Sequence, residues 1–325
     1  MMSDDMDAPE VIIMEVRTEE IKVPSSDGKN TLAGIVYLPP EDVPPKGFFQ
    51  VVHGMCEHIG RYSRFMTDIA AEGMICFGFD NLGHGKTAEK EDLGFIAEKD
   101  GWDCLAKDIA ATSGAVREKH GNGTDLPYYL LGHSMGSFIA RLASERYVTP
   151  DRLIAIGTGG SIPASGAIIA FIEANAAVFG KRHHSKTVDL AAFSSYNKRF
   201  GGGTPEDPAK WLTSLPEERV KNYTDESCRV KFTVSAMSDL MKLIRKTNRS
   251  EWFANIAKRK IPVLLASGED DPVGNYGSGV REVEKRLKKA GADVRCVIYP
   301  KARHEILNDF TYSEAKAEIL GFCIG

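Results

Sequence analysis

The 325-residue chain is poor in the features that mark several common protein classes. Its six cysteines (Cys56, Cys76, Cys104, Cys228, Cys296 and Cys323) are scattered, and no two make a C-x-x-C pair. That spacing excludes a zinc ribbon and argues against a disulfide framework; it fits reduced, mostly buried thiols of a cytoplasmic protein. There is no basic excess: 41 Lys and Arg stand against 45 Asp and Glu, a net charge of -4, so no nucleic-acid partner is expected. The longest apolar stretch, "ASGAIIAFIEANAAVFG", is broken by Glu173 and Asn175 and is too short and too polar to span a bilayer. The opening "MMSDDMDAPE" is acidic and has no apolar centre, so no secretory signal is expected. No internal repeat or low-complexity tract interrupts the chain. What remains is a soluble protein, 42% hydrophobic, long enough to bury one large core or two small ones.

Six short apolar runs are present: "GFFQVV", "MICFGFD", "PYYLLG", "RLIAIGT", "IPVLLASG" and "VRCVIYP". Runs of this length suit strands buried on both faces. Helical periods separate them, one through Tyr62, Phe65, Met66, Ile69 and Ala70, another through Trp102, Leu105, Ile109, Ser113 and Val116. Strands alternating with helices predict an α/β fold with a mostly parallel central sheet covered on both faces. Upstream, "TEEIKVPSSDGKNTLAGIVYLPP" alternates and turns at Asp27-Gly28, which predicts a β-hairpin at one edge. From Gly159 to about Lys260 no buried strand is evident, and the interval is too long for a simple connection. It reads as an inserted helical cap (159–260) in a core built from 1–158 and 261–325.

Directly behind "PYYLL" stands "GHSMGS". A G-x-S-x-G after a strand and before a helix is a nucleophile elbow, in which the residues two before and two after the serine must be tiny; here they are Gly132 and Gly136. Ser134 is therefore the candidate nucleophile. A serine hydroxyl needs a base held by an acid. In chain order, "VLLASGEDDPVG" brings acids to the end of one strand and "VIYPKARHEILND" brings His304 just past the next. Both lie at the carboxyl edge of the sheet, where ligands bind in such folds. The turn-forming Asp-Pro favours Asp271 as the acid, with Asp270 and Glu269 as alternatives.

The tetrahedral oxyanion needs donors. "VVHGMCEHIGRY" follows the first parallel strand, and its His53-Gly54 step lets the backbone turn over the site, so the N–H groups of Met55 and Met135 are the expected oxyanion hole. His53, His58 and His84 have neither the i, i+4 spacing nor the acid partner of a zinc motif. No metal and no cofactor are expected, and "HH" at 183–184 reads as a solvated helix end.

"HGMCEHIGRY", "FDNLGHGKT", "GHSMGS", "SGEDDPVG" and "RHEILND" together resemble the monoacylglycerol lipase/lysophospholipase branch of the α/β-hydrolase family, over most of the chain from about Lys22 onward. The resemblance implies Ser134 as nucleophile, Asp271 as acid, His304 as base, and Met55 and Met135 as backbone donors. The third residue of the family's oxyanion loop is usually small; here it is Met55. The implied activity is hydrolysis of monoacyl lipids or similar small esters through an acyl-enzyme. Aminopeptidase-like and aryl-ester-cleaving enzymes are the related alternatives, and a non-catalytic hydrolase fold serving as a small-molecule receptor is the rival from another class. Between Pro163 and Gly180 the cap carries a helix apolar around much of its circumference, followed by Lys181, Arg182, His183 and His184. Buried, it would hold the cap together; exposed, it would suit transient contact with a lipid surface.

Overall fold

Each of the six apolar runs forms a strand, and the hairpin adds two more. In chain order these are β1 (Arg17–Pro24), β2 (Thr31–Leu38), β3 (Gly47–Val52), β4 (Met74–Phe79), β5 (Tyr128–His133), β6 (Arg152–Ile156), β7 (Val263–Gly268) and β8 (Val294–Tyr299). The computed structural model describes residues 15–121, 123–204 and 206–325, and the acidic leader lies outside them. The eight strands form one sheet in the order β1-β2-β4-β3-β5-β6-β7-β8. β1 and β2 are antiparallel to each other, and β2 is antiparallel to β4; every other pairing is parallel.

The helices are α1 (Ser63–Ala71), α2 (Gly101–His120), α3 (Met135–Arg146), α4 (Ser165–Phe179), α5 (Lys186–Phe193), α6 (Pro216–Thr224), α7 (Val234–Thr247), α8 (Ser250–Arg259), α9 (Ser278–Ala290) and α10 (Tyr312–Ile324). Strand alternation divides the core. Phe48, Val52, Tyr128 and Leu130 point to one face, where α2, α3, α8 and α9 supply Leu105, Ile139, Trp252 and Val283. Phe49, Val51, Tyr129 and Leu131 point to the other, against Phe65 and Ile69 of α1 and Ile319 of α10. This is why the strands read as unbroken apolar runs.

After β3 the chain steps to β4 on one side, and then returns to place β5 on the other side of β3. The carboxyl ends of β3 and β5, paired through Val52 and Gly132, therefore diverge into loops and open a crevice at a topological switch point. Helices α5, α6 and α7 bring side chains over that crevice, and α4 lies on α7. Ser250–Arg259, expected within the cap, packs instead on α3 and α9 and so joins the helical layer against the sheet. Buried Arg141 of α3 fastens both ends of the insertion: it donates to Thr158 Oγ1 (3.1 Å) and the Gly159 carbonyl (3.3 Å) where the chain leaves, and to the Thr247 carbonyl (2.5 Å) where it returns.

Candidate active site

The turn after β5 is as tight as the glycines suggest. A Cβ on Gly132 would lie 2.1 Å from the Gly136 carbonyl oxygen, and one on Gly136 would lie 2.1 Å from that of Val52. Ser134 sits at φ 53°, ψ -121°, a left-handed setting that costs a residue with a Cβ on the order of 1–3 kcal/mol and is held only by its surroundings. Its N–H donates to the Ile156 carbonyl of β6 at 2.9 Å, so the strained turn is tied to the neighbouring strand. Met135 opens α3, and its N–H is among those of the first turn that have no acceptor within the helix.

The loop after β3 folds back over this turn. A Cβ on Gly54 would come within 2.6 Å of Glu57 Oε1 and 3.0 Å of Ser134 Cβ, so the loop backbone stands directly against the serine. Two buried imidazoles fasten it. His53 Nδ1 donates to the Gly54 carbonyl (2.8 Å) while its Nε2 accepts from the Asn81 N–H (2.9 Å). His84 Nε2 accepts from the Cys56 N–H at 3.3 Å and its Nδ1 donates to the Leu82 carbonyl at 2.9 Å. Burial lowers the pKa of both rings, that of His84 to about 3, which keeps them neutral and able to accept. Among the described residues, the N–H groups of Met55 and Met135 are donated to no other protein group.

Of the three acids at the end of β7, Asp271 is the one beside His304: Oδ1 lies 2.9 Å from Nδ1, both side chains buried. The ring N–H is not well aligned on that oxygen, as is common before a substrate is bound. Asp271 Oδ1 also accepts from the Val273 N–H (2.8 Å) and Oδ2 from the Ser267 hydroxyl (3.1 Å). Burial alone would raise its pKa, but the attraction of His304 and these donors hold it below the usual carboxylate range. Asp270 turns outward to Arg199 at 3.6 Å, and Glu269 accepts from the Lys301 N–H.

Ser134, His304, Met55 and Met135 line one cavity of about 350 Å³ under the cap, with Asp271 behind His304. Its walls are largely apolar, with Phe138 from the core and Phe193, Trp211 and Phe232 from the inserted segment. Trp211 was not foreseen. Its ring centroid lies 4.9 Å from that of His304, and its carbonyl accepts from the His304 N–H at 3.4 Å. The next steps of the same segment continue the seam: the Glu305 N–H donates to the Leu212 carbonyl at 2.8 Å and the Thr213 hydroxyl to that of Asn308 at 2.7 Å. No sequence signal links residues so far apart in the chain.

Of the three histidines His53, His58 and His84, the first and last stay together, with ring centroids 5.2 Å apart. His58 leaves the other two and meets Asp225 of the cap at 2.8 Å, with Cys228 nearby. These three bring donor atoms within 4.8 Å of one another, but His58 and Asp225 already bond directly. His183 is half-buried against Phe179, and His184 is exposed. In α4, Ile169 and Ile172 are buried, whereas Phe171 (53%), Val178 (74%) and Phe179 (63%) are exposed. The helix is thus neither wholly buried nor free.

Comparison with known proteins places the chain among hydrolases of this fold. The pattern of a hydrolase family described as serine aminopeptidase, S33, matches residues 43–311. A monoacylglycerol lipase of Mycolicibacterium smegmatis is 27% identical over 168 residues, 49% of this chain and 56% of that protein. The human monoglyceride lipase is 30% identical over 228 residues, 70% of this chain and 66% of that protein. Across the monoacylglycerol lipases matched, the aligned region spans between 31% and 66% of the relative's own length. Among solved structures, a thermostable carboxyl esterase from Bacillus coagulans, in complex with glycerol, superposes with a TM-score of 0.85 at 27% identity, covering 94% of this chain and 97% of that one.

Proposed function

Since the chain belongs to the serine aminopeptidase S33 family of α/β-hydrolases, we propose that it is a serine carboxylester hydrolase cleaving monoacyl lipids (monoacylglycerol or lysophospholipid) or similar small esters. The observation that carries this reading is the convergence of Ser134 and His304, with Asp271 behind, on one apolar cavity at the switch point of the sheet. Ser134 Oγ attacks the ester carbonyl carbon as His304 takes its proton, and Asp271 holds the ring and steadies the imidazolium. The oxygen that gains the negative charge is met by the Met55 and Met135 N–H groups, already free to donate. The C–O bond to the leaving group breaks, and His304 returns the proton to the departing alcohol. Water then attacks the acyl-enzyme by the same route, releasing the acid and restoring Ser134. No step uses a metal or cofactor.

The apolar walls suit an acyl chain, and an ester agrees with the human and mycobacterial relatives, a monoglyceride lipase and a monoacylglycerol lipase. Contact with a lipid surface belongs to the same reading: Phe171, Val178 and Phe179 form an exposed apolar strip on the cap. A second reading, an aminopeptidase-like activity, is favoured by Asp189. This half-buried carboxylate lines the cavity with no ion-pair partner among the described residues, its pKa raised by burial, and could meet a substrate ammonium.

A substrate panel separates the two. p-Nitrophenyl esters of increasing chain length would be assayed beside monoacylglycerol, lysophospholipid and aminoacyl substrates, with and without a chelator. Turnover of the esters, unaffected by chelator and abolished in Ser134→Ala, is the expected result. Exclusive turnover of aminoacyl substrates would favour the second reading. Failure of a fluorophosphonate to label the wild-type serine would overturn both.

A further inference from the structure

Along one wall of the cavity, where Glu57, Arg61, His133 and Glu305 are among the lining residues, lies a cluster of charges that the reaction scheme does not use. Arg61, Glu57 and Glu305 are almost completely buried, at 9%, 4% and 4% side-chain exposure. Arg61 grips Glu305 with two parallel bonds, Nη1 to Oε1 at 2.7 Å and Nη2 to Oε2 at 2.8 Å, and also reaches Glu57 Oε2 at 3.0 Å. Glu57 Oε1 accepts from the Gly54 N–H (2.5 Å) and the Tyr62 hydroxyl (2.9 Å), and lies 3.1 Å from His133 Nδ1. Each of the four carboxylate oxygens thus accepts at least one hydrogen bond from within the protein.

His133 is held on both sides: its Nδ1 lies 2.8 Å from the Tyr62 hydroxyl and 3.1 Å from Glu57 Oε1, and its Nε2 lies 3.3 Å from the His304 carbonyl oxygen. Burial pushes the ring toward neutrality, but the Glu57 carboxylate outweighs it and raises the pKa. Burial would likewise raise both carboxyl pKa values; His133 and Arg61 hold Glu57 well below the usual range, and Arg61 does the same for Glu305.

Such clusters are poor sources of stability, since desolvation consumes most of the attraction and an apolar replacement of equal volume is often as stable. Position is the better explanation. Glu57 holds the peptide just before Met55, Glu305 directly follows His304, and His133 directly precedes Ser134. The three loops come from distant parts of the chain, and Arg61 bridges two of them with a planar fork that fixes distance and angle together.

We propose that Arg61 is a positioning residue that sets the oxyanion loop against the loop carrying His304, so that catalysis, and not substrate binding, depends on it. The proposal rests on Ser134 and His304 acting as nucleophile and base.

The test is the double variant Arg61→Met with Glu305→Gln, which removes one charge of each sign and leaves Glu57 its contacts with Gly54, Tyr62 and His133. Activity on a short soluble p-nitrophenyl ester is measured per serine titrated by a fluorophosphonate, so that misfolded protein does not count. Binding of a boronic acid, which adopts the tetrahedral geometry on the serine, is measured alongside. We expect kcat to fall about 100-fold, the scale on which a displacement near 1 Å acts, with KM changed by less than about twofold and boronate affinity lost in parallel with kcat. Arg61→Lys keeps the charge but not the fork, and should fall in between, about tenfold down in kcat with KM unchanged. It also serves if the double variant does not fold. A folded double variant, or failing that Arg61→Lys, with wild-type kcat per titrated serine would overturn the proposal, as would a rise in KM alone. An unlabelled wild-type protein would instead remove the hydrolase reading on which it rests.

Discussion

Ser134 and Asp271 are held by opposite means. The serine is strained into φ 53° by the packing of glycine backbones, whereas the aspartate is relaxed and bound by every neighbour it touches. The distinction bears on how the adjacent acids differ. Asp271 is wholly buried, and its oxygens are shared among His304, Val273 and Ser267; Asp270 is a partly exposed partner of Arg199. Replacing Asp271 by Asn puts an amide where the His304 Nδ1–H needs an acceptor, and its NH₂ can force the other tautomer. Asp271→Asn should therefore lower kcat by on the order of 10⁴, while Asp270→Asn should leave it near wild type. Steady-state kinetics on a short ester decide this, and a larger loss in Asp270→Asn would move the acid by one residue.

At the scale of elements, α4 shows a face that the sequence pattern left undecided. It lies on α7 through Ile169 and Ile172 and presents Phe171, Val178 and Phe179 outward. The basic residues behind it are not a free rim, because Arg182 bonds to Asp92 and Lys181 lies 3.7 Å from Glu98. Attraction to an anionic surface should therefore be weak and contact mainly apolar. Phe171→Asp with Phe179→Asp should reduce binding to neutral phosphatidylcholine vesicles and turnover of long-chain monoacylglycerol presented in them, and leave a short soluble ester untouched. Ile172→Asp, at a buried position, should lower the melting temperature instead. Equal losses on both substrates in the first variant would make the strip structural.

The sheet was legible because each strand is a short apolar run that must bury both faces, and the elbow because only glycine fits at 132 and 136. The choice among Glu269, Asp270 and Asp271 was narrowed by the Asp-Pro turn and is separated in the structure by distance alone. What could not be read was whatever depends on contacts between remote segments. Arg61 and Glu57 are one helical turn apart, yet nothing in the sequence brings Glu305 to them across 244 residues. Trp211 lies in a polar stretch with no periodicity. The packing of α8 on α3 and α9 is hidden for a similar reason, since α8 is amphipathic like its predecessors.

For the whole molecule, the joint between cap and core contains a group that makes stability depend on pH. Asp239 of α7 is buried against the start of α2, where it faces the Trp102 N–H, with Lys242, Asp100 and Glu173 around it. Burial raises its pKa from 3.8 to about 7, and the Trp102 N–H and Lys242 offset only part of that rise. Between those two values the folded protein holds a proton that the unfolded chain releases. This group's contribution is therefore full below about pH 4 and is lost as pH rises through 7, with a limiting slope of about 1.4 kcal/mol per pH unit. Salt-bridged carboxylates such as Glu57 and Asp271 act in the opposite sense at the acid end, so the effect appears in a difference and not in the wild-type curve alone. Asp239→Asn keeps an acceptor for the Trp102 N–H but cannot ionise. Its unfolding free energy in urea, relative to wild type, should increase from pH 5 through about pH 7 and level off by pH 8.5. A difference that stays constant over that range would mean that Asp239 ionises in the folded protein as it does in the unfolded chain, and that the cap–core joint carries no such dependence.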